Sequence, residues 1–378
     1  MYVLMITPNQ FPDGDAGAVR DYYFAKLYQL LGYSVIHIGM NRTNHHGFID
    51  EIEYYSLYME KSSIREKIRF ALSYRKRLDR IVSLIVKNNG TPAVLHIYDI
   101  PASGIKYAKR LAGIEFPIVH DSVEWYSACE FRLGIISYPY LFKERTNRFL
   151  IKSPIRVIAI STYLQNYFSN RGLKCVRIPV MMEIANHSCI EQTTDKVRLI
   201  YAGSPARKDY LKVIISAFEL LDEADKERFE FRILGVSQDQ LEKLTNKECL
   251  SKSIIAMGRV DRYVVKEYLE TSDFSVLLRP ANERYAKAGF PTKVVEALSN
   301  GVAMLCNYSS DLEMYLSDMK NAVIVNGWNE EDFLSALKRI LSLDREEIRK
   351  LKINAYNTAK QFFDYKLYAS ELKKIIGE

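Results

Sequence analysis

Short, β-rich apolar runs alternate with helix-length amphipathic segments along this chain, and the alternation begins afresh near its midpoint. In the first half the runs are Tyr2 to Ile6, Val35 to Ile38, Ala93 to Ile97, Pro117 to His120 and Arg156 to Ile160, with a helix expected from about Ala18 to Leu31. The pattern restarts at Val197-Arg198-Leu199-Ile200-Tyr201-Ala202-Gly203. A helix from about Tyr210, strands Phe229 to Leu234 and Ser253 to Ala256, a helix Val264 to Leu269 and a strand Asp273 to Leu278 follow. Strands separated by helices line up in parallel, with helices covering both faces of the sheet. Two such halves predict an α/β protein of two Rossmann-like domains facing across a cleft. The polar stretch Met182 to Lys196 has no sustained periodicity and reads as a linker. The expected domains are therefore 1–182 and 197–355. The aromatic-rich helical segment 356–378 has no sheet of its own to complete and is expected to cross back and brace the first domain.

A chain of 378 residues with 48% hydrophobic content can fill two full cores. No run approaches the roughly 18 consecutive apolar residues of a spanning helix. The N-terminus enters a strand without a basic n-region or a cleavage site, so a cytoplasmic protein is expected. Five scattered cysteines without C-x-x-C spacing suggest neither a disulfide framework nor a zinc site.

The net charge of +7 is concentrated between Lys61 and Lys87, where nine cations face only Glu66 and Asp79. Ile64, Ile68, Leu72, Leu78, Ile81, Val82 and Ile85 recur at helical steps there, with the cations outside the apolar stripe. Such a helix could lie on anionic lipid, each basic residue contributing about 1 kcal/mol. A solvated helix face is the plain alternative. With no nucleic-acid-binding module beside it, nucleic acid is not an expected partner.

Three strand-to-helix loops carry the chemistry. In Ala288-Gly289-Phe290-Pro291-Thr292-Lys293-Val294-Val295-Glu296-Ala297-Leu298-Ser299-Asn300-Gly301, Pro291 falls where the first helical turn would start, so unpaired backbone N–H groups there could meet phosphate oxygens. Glu296, about one turn on, could accept hydrogen bonds from ribose hydroxyls. In Gly203-Ser204-Pro205-Ala206-Arg207-Lys208-Asp209 two adjacent cations follow a strand, where Lys208 could neutralise a departing diphosphate. In Pro12-Asp13-Gly14-Asp15-Ala16-Gly17-Ala18, Gly14 and Gly17 allow close backbone approach, and the helix starting near Gly17 could receive a diphosphate. This loop is not G-x-G-x-x-G, which weakens a dinucleotide reading. Its D-x-D pair, Asp13 and Asp15, has no further ligands nearby, so no metal site is expected. His120, before Asp121 and Glu124 at a strand end, is either structural or a contact to a sugar hydroxyl; His96 reads as a core residue.

With these pieces assembled, the chain resembles the family 4 glycosyltransferases of the GT-B fold, nearly end to end. The resemblance is carried by the Gly17 loop, by Val157-Ile158-Ala159-Ile160-Ser161-Thr162-Tyr163-Leu164 leading to Arg177-Ile178-Pro179, by Tyr201-Ala202-Gly203 through Arg207-Lys208, and by Gly289-Phe290-Pro291 through Gly301. It implies retaining transfer from a UDP- or GDP-linked sugar, with no cofactor and no obligatory metal. Lys208 and Arg207 would grip the diphosphate, Gly289, Phe290, Pro291 and Thr292 the phosphate through backbone, Glu296 the ribose and His120 the donor sugar. Two positions depart from the family's pattern. Ala288 stands where an acid usually lies eight positions before the ribose glutamate, with Glu283 or Lys287 as substitutes from the same loop, and Ser204 stands where an arginine often follows the glycine. The run from Arg284 to Lys293 resembles bacterial surface-polysaccharide transferases. The implied acceptor is a glycan or lipid-linked glycan, met at the inner face of the plasma membrane through peripheral contact with anionic lipid. A UDP-sugar epimerase and a non-catalytic GT-B subunit remain as rival readings.

Overall fold

Parallel β-structure is laid down twice, as the alternation predicts. The computed structural model describes residues 1–12, 14–41, 45–57, 63–111, 116–185, 195–203, 208–246 and 249–377. It divides into one unit of Met1–Glu183 with Tyr365–Glu378 and a second of Ile184–Asp364.

The first unit contains strands β1 (Tyr2–Ile6), β2 (Ser34–Gly39), β3 (His46–Ile49), β4 (Ile52–Ser56), β5 (Val94–Ile97), β6 (Ile118–Ser122), β7 (Arg156–Ala159) and β8 (Cys175–Arg177). Its first five helices are α1 (Ala16–Leu30), α2 (Ile64–Asn89), α3 (Ala102–Leu111), α4 (Tyr138–Arg145) and α5 (Thr162–Asn170). The sheet runs β3-β4-β2-β1-β5-β6-β7-β8, parallel except for the β3–β4 hairpin. That hairpin was not expected. Its two-residue turn, Asp50-Glu51, has both residues at positive φ (45° and 63°). This geometry normally announces itself as Asn-Gly or Asp-Gly. Val3, Met5, Phe24, Val119 and Ile158 fill the core between sheet and helices. Arg20 of α1, itself buried, donates Nε and Nη2 to the two carboxylate oxygens of Asp121 (2.6 and 2.8 Å) and Nη1 to the Pro179 carbonyl (2.7 Å). It thereby ties α1 to the end of β6 and to the chain leaving β8.

The basic segment forms one helix, α2, opened by a capping box between Ser63 and Glu66. Its apolar stripe is not continuous. Leu78, Val82 and Ile85 are buried, whereas Ile68 and Leu72 are 57% and 82% exposed. Among the described residues no helix is long and apolar enough to cross a membrane.

The second unit holds β9 (Val197–Ala202), β10 (Phe229–Leu234), β11 (Ile254–Gly258), β12 (Phe274–Leu277), β13 (Ala303–Cys306) and β14 (Ala322–Ile324), in the order β11-β10-β9-β12-β13-β14. All its strand pairs are parallel. Its helices are α6 (Leu211–Glu219), α7 (Glu223–Glu227), α8 (Gln238–Thr245), α9 (Arg262–Glu270), α10 (Arg284–Ala288), α11 (Thr292–Ser299), α12 (Glu330–Leu341) and α13 (Arg345–Phe362). The strand order reverses between β9 and β12, and open α/β sheets bind ligands at the strand ends beside such a reversal. The last helix, α14 (Ala369–Ile376), returns to the first unit and buries Leu372, Ile375 and Ile376 in its core.

The return comes at Tyr365 rather than at 356. The reason is that α13 continues to Phe362 with Ala355 and Ala359 fully buried, and the Phe363 ring then packs 5.8 Å from Phe290 and 4.8 Å from Tyr315. Residues 356–364 therefore belong to the second unit.

Candidate active site

In the second unit, the loops that follow β9 and β12 are joined by a buried carboxylate. Gly203 donates its N–H to the Leu234 carbonyl (3.0 Å), and directly after Lys208 and Asp209 the Tyr210 N–H binds the Leu278 carbonyl (2.9 Å). Asp209 accepts hydrogen bonds from Arg279 Nε (2.7 Å), from Lys293 Nζ and from the Tyr201 hydroxyl (3.2 Å). The Lys293 ammonium also lies over the Tyr201 ring, 4.2 Å from its centre. A side chain at Gly203 would put its Cβ 3.0 Å from Lys293 Nζ, so the lysine would have to shift slightly to accommodate it. Asn307 fixes the backbone of Arg279 from both sides, at 2.9 and 2.7 Å. Burial alone would raise the Asp209 pKa, but Arg279 and Lys293 hold it well below the usual carboxylate range. Burial pushes Lys293 down, against the upward pull of Asp209.

Helix α11 starts at Thr292 directly after Pro291, and no side chain caps it. The Val294 N–H turns back to the Pro291 carbonyl (3.1 Å), while the Thr292 and Lys293 amides have no acceptor within the helix and carry the positive end of its dipole. Glu296 is half-buried and close enough to Lys293 to act on its protonation. At three-residue spacing the two side chains share one helix face. Phe290 is mostly buried and packs against Tyr315 and Phe363, which leaves only its backbone for a ligand. Lys208 is half-buried, and its carbonyl accepts from the Tyr285 hydroxyl (3.0 Å). Ala288 is fully buried at the end of α10. Arg207 and Ser204 lie outside the described residues.

In the first unit His120 sits in β6, in register with Ile97 and Val157, with 1% of its surface exposed. Both ring nitrogens lack a hydrogen-bond partner among the described residues, as does the Ser122 hydroxyl two positions on. Burial, helped by Lys143 and His96, lowers the His120 pKa to about 3, so the ring is neutral. Lys143 of α4 is itself buried and paired with Asp99, a residue held at φ 37° just after β5; its ammonium lies 5.5 and 5.8 Å from the ring centres of Tyr98 and Tyr126. Asp121 is committed to Arg20, and Glu124 accepts from the Tyr126 hydroxyl. Of the three groups that cluster in sequence, His120 alone keeps fully buried polar atoms without a partner among the described residues. His96 is fully buried in β5, within 3.2 Å of the Tyr28 hydroxyl.

Gly17 sits at the start of α1. Its N–H binds the Asp15 carboxylate (3.1 Å), which caps α1 where a diphosphate was expected, and a Cβ there would meet Asn9 Oδ1 at 2.4 Å. Asp13 lies outside the described residues, and among those described no group of three or more His, Cys, Asp or Glu could hold a metal ion. Sequence reasoning passed over Asp209, Arg279, Lys293 and the Asp99–Lys143 pair. The usable signal was Lys293 three positions before Glu296; the Arg279 contact joins residues 70 apart and leaves no local trace.

Residues 185–358 match the family model described as Glycosyl transferases group 1. That match covers nearly all of the second unit and none of the first. Sucrose-phosphate synthase from Thermosynechococcus elongatus superposes with a TM-score of 0.78 at 12% identity, over 99% of this chain and 98% of that one. WaaG, a glycosyltransferase involved in lipopolysaccharide biosynthesis, gives 0.70 at 13% identity over 100% of both chains. HepE from Anabaena, in complex with UDP-glucose, gives 0.68 at 13% identity over 99% and 100%. At such identities the likeness establishes the fold, which is GT-B. No curated protein sequence matches. The match to the group 1 glycosyltransferases spans the β9 and β12 loops, α11 and Glu296, so the buried network lies inside the matched region.

Proposed function

We propose that this chain is a retaining glycosyltransferase that moves a sugar from a UDP- or GDP-linked donor to a glycan or lipid-linked glycan in bacterial surface-polysaccharide synthesis. The observation that carries the reading is the uncapped start of α11, flanked by Lys293 on Asp209 and followed on the same helix face by Glu296. Backbone amides suit phosphate oxygens and the carboxylate suits ribose hydroxyls. Negative charge grows on the nucleoside diphosphate as the glycosidic bond breaks, and Lys208 with the dipole of α11 stabilises it without a metal ion. Because Lys293 is already oriented by Asp209, it need not reorganise as that charge appears. His120 offers a neutral imidazole to a sugar hydroxyl. HepE, which shares the fold, forms a complex with UDP-glucose, and this supports a UDP-linked donor here.

A lipid-linked acceptor is supported by exposed apolar side chains. Ile68 and Leu72 stand among the cations of α2, and Leu133, Ile135, Ile136, Tyr138, Leu141 and Phe149 are each more than half exposed. Contact with anionic lipid would place the enzyme peripherally at the inner face of the membrane. Incubation with a panel of UDP- and GDP-sugars and lipid or glycan acceptors, followed by product analysis, tests the reading. Transfer supports it. An epimerised donor or no turnover with intact nucleotide binding would replace it by the epimerase or by a non-catalytic subunit.

A further inference from the structure

A cavity of about 440 Å³ lies in the first unit between α2 and the end of β4, lined by His45, Ser56, Leu57, Ser73, Lys76, Arg77, Arg80 and Ile81. Its volume is within the range of small-molecule sites. The lining holds no carboxylate among the described residues, and the reason is visible on α2. Asp79 is directed away, hydrogen-bonded to Tyr107 of α3 with Arg75 close by. Lys76, Arg77 and Arg80, spaced three and four residues apart, are left together on the cavity side. Among the described residues neither Lys76 nor Arg80 has a carboxylate within ion-pair distance. Arg77 is braced by its guanidinium lying 5.5 Å from the centre of the Phe70 ring. Leu57 and Ile81 supply apolar floor, and the Ser56 and Ser73 hydroxyls lie in the wall.

We propose that this cavity binds a diphosphate group carried by the acceptor. Three cations exceed what a single carboxylate can neutralise, and two guanidinium forks match phosphate oxygens in pairs. A nucleic-acid strand would need an extended track with stacking aromatics, and the lining contains neither. That the acceptor carries the diphosphate rests on the glycosyltransferase reading; the diphosphate site itself does not.

The test is calorimetric titration of the full chain with inorganic pyrophosphate, with saturating UDP present to occupy the nucleotide site, and a separate titration with UDP alone. Arg77→Gln with Arg80→Gln should weaken pyrophosphate binding at least tenfold, the scale of lost charged hydrogen bonds. Arg77→Lys with Arg80→Lys should fall between that variant and wild type. Arg75→Gln, on the α3 side of the same helix, should leave the affinity unchanged. A double glutamine variant that binds pyrophosphate like wild type overturns the site. Binding that depends on Arg77 and Arg80 while UDP fails to bind leaves the site standing and removes the donor reading instead. Co-sedimentation with phosphatidylglycerol vesicles separates the sources of the phosphate. Vesicle binding that pyrophosphate displaces and the double variant loses assigns a lipid-borne phosphate. No vesicle binding, with pyrophosphate still bound, assigns a soluble phosphorylated acceptor. Vesicle binding that pyrophosphate leaves untouched, with no pyrophosphate heat, means diffuse surface attraction and overturns the proposal.

Discussion

Replacing Asp209 by asparagine keeps the shape of the buried network and removes its negative charge. The amide oxygen can still accept from one cation, but its NH2 group then faces the other, donor against donor. One charged hydrogen bond is lost, worth about 1.5–3 kcal/mol, and a second cation is left mostly buried without compensation, at about 1–3 kcal/mol more. Arg279 and Lys293 retain 13% and 15% side-chain exposure, so water recovers part of this. The expected loss is about 3 kcal/mol, or about 6–12 °C in the melting transition of a domain of this size. Differential scanning calorimetry resolves it, because only the second unit's transition should move. The pH dependence has a definite sign. Asp209 has a folded-state pKa below its ordinary value near 3.9, so its contribution is fully present above about pH 4 and is lost as the pH falls further, through the folded value. The gap between wild type and Asp209→Asn should therefore persist from about pH 7 down to about pH 5. A gap below about 1 kcal/mol at neutral pH, or one that closes between about pH 7 and about pH 5, would refute the network.

Glu296→Ala should lower nucleoside diphosphate affinity about ten- to a hundredfold, the scale of a charged hydrogen bond; calorimetric binding equal to wild type would reject the ribose role. Lys208→Ala should reduce turnover more than donor affinity, because the leaving-group charge is still developing in the transition state; normal turnover at saturating donor would put this lysine outside the chemistry. Transfer should continue in excess EDTA, and activity lost to chelator and restored by manganese would return attention to Asp13 and Asp15. His120 and His96, with pKa values lowered to about 3 and about 4 by burial, stay neutral in the folded state while the unfolded chain takes up protons below about pH 6.5. The first unit should thus lose stability on acidification from about pH 6.5, about 2 kcal/mol through His120 by about pH 5, and urea unfolding of His120→Gln should show a correspondingly shallower slope.

β1 and β12 were legible because a strand buried on both faces needs a mostly apolar run, and β10 because Phe229, Phe231 and Ile233 alternate with half-buried Glu230 and Arg232; all three fall within a residue of where the sequence puts them. The hairpin of β3 and β4 was not, since its turn residues are Asp50 and Glu51 and its strands alternate polar with apolar in a region dominated by charge. The helix start at Thr292 was legible because the turn and the helix that carries Glu296 form one continuous segment. Asp209, Arg279, Tyr201 and Lys293 come from four segments, and only the fold brings them together. The half-exposed stripe of α2 was misjudged for a related reason: periodicity identifies an apolar face but not where its partner ends, and packing covers Leu78, Val82 and Ile85 while stopping short of Leu72.

The distribution of charge also bears on how such an enzyme would avoid holding its product. Arg279 and Lys293 without Asp209 would repel each other and, on the proposed reading, hold a diphosphate more firmly. Asp209 offsets part of their charge and fixes Lys293 at the same time, so positive potential is held in a set geometry without being maximal. Preorganisation of this kind favours the transition state over the ground state, because the cation need not move when leaving-group charge appears. The sugar has no net charge to stabilise, and the group that the sequence points to for it, His120, is kept neutral by burial beside an ammonium already paired with Asp99. A protonated imidazole there would add charge where the substrate has none and would remove the only acceptor on the ring. In the proposed transfer, fixed charge would serve the phosphates and a neutral hydrogen-bonding ring the sugar, under one rule: a buried group is useful in the ionisation state that its neighbours stabilise.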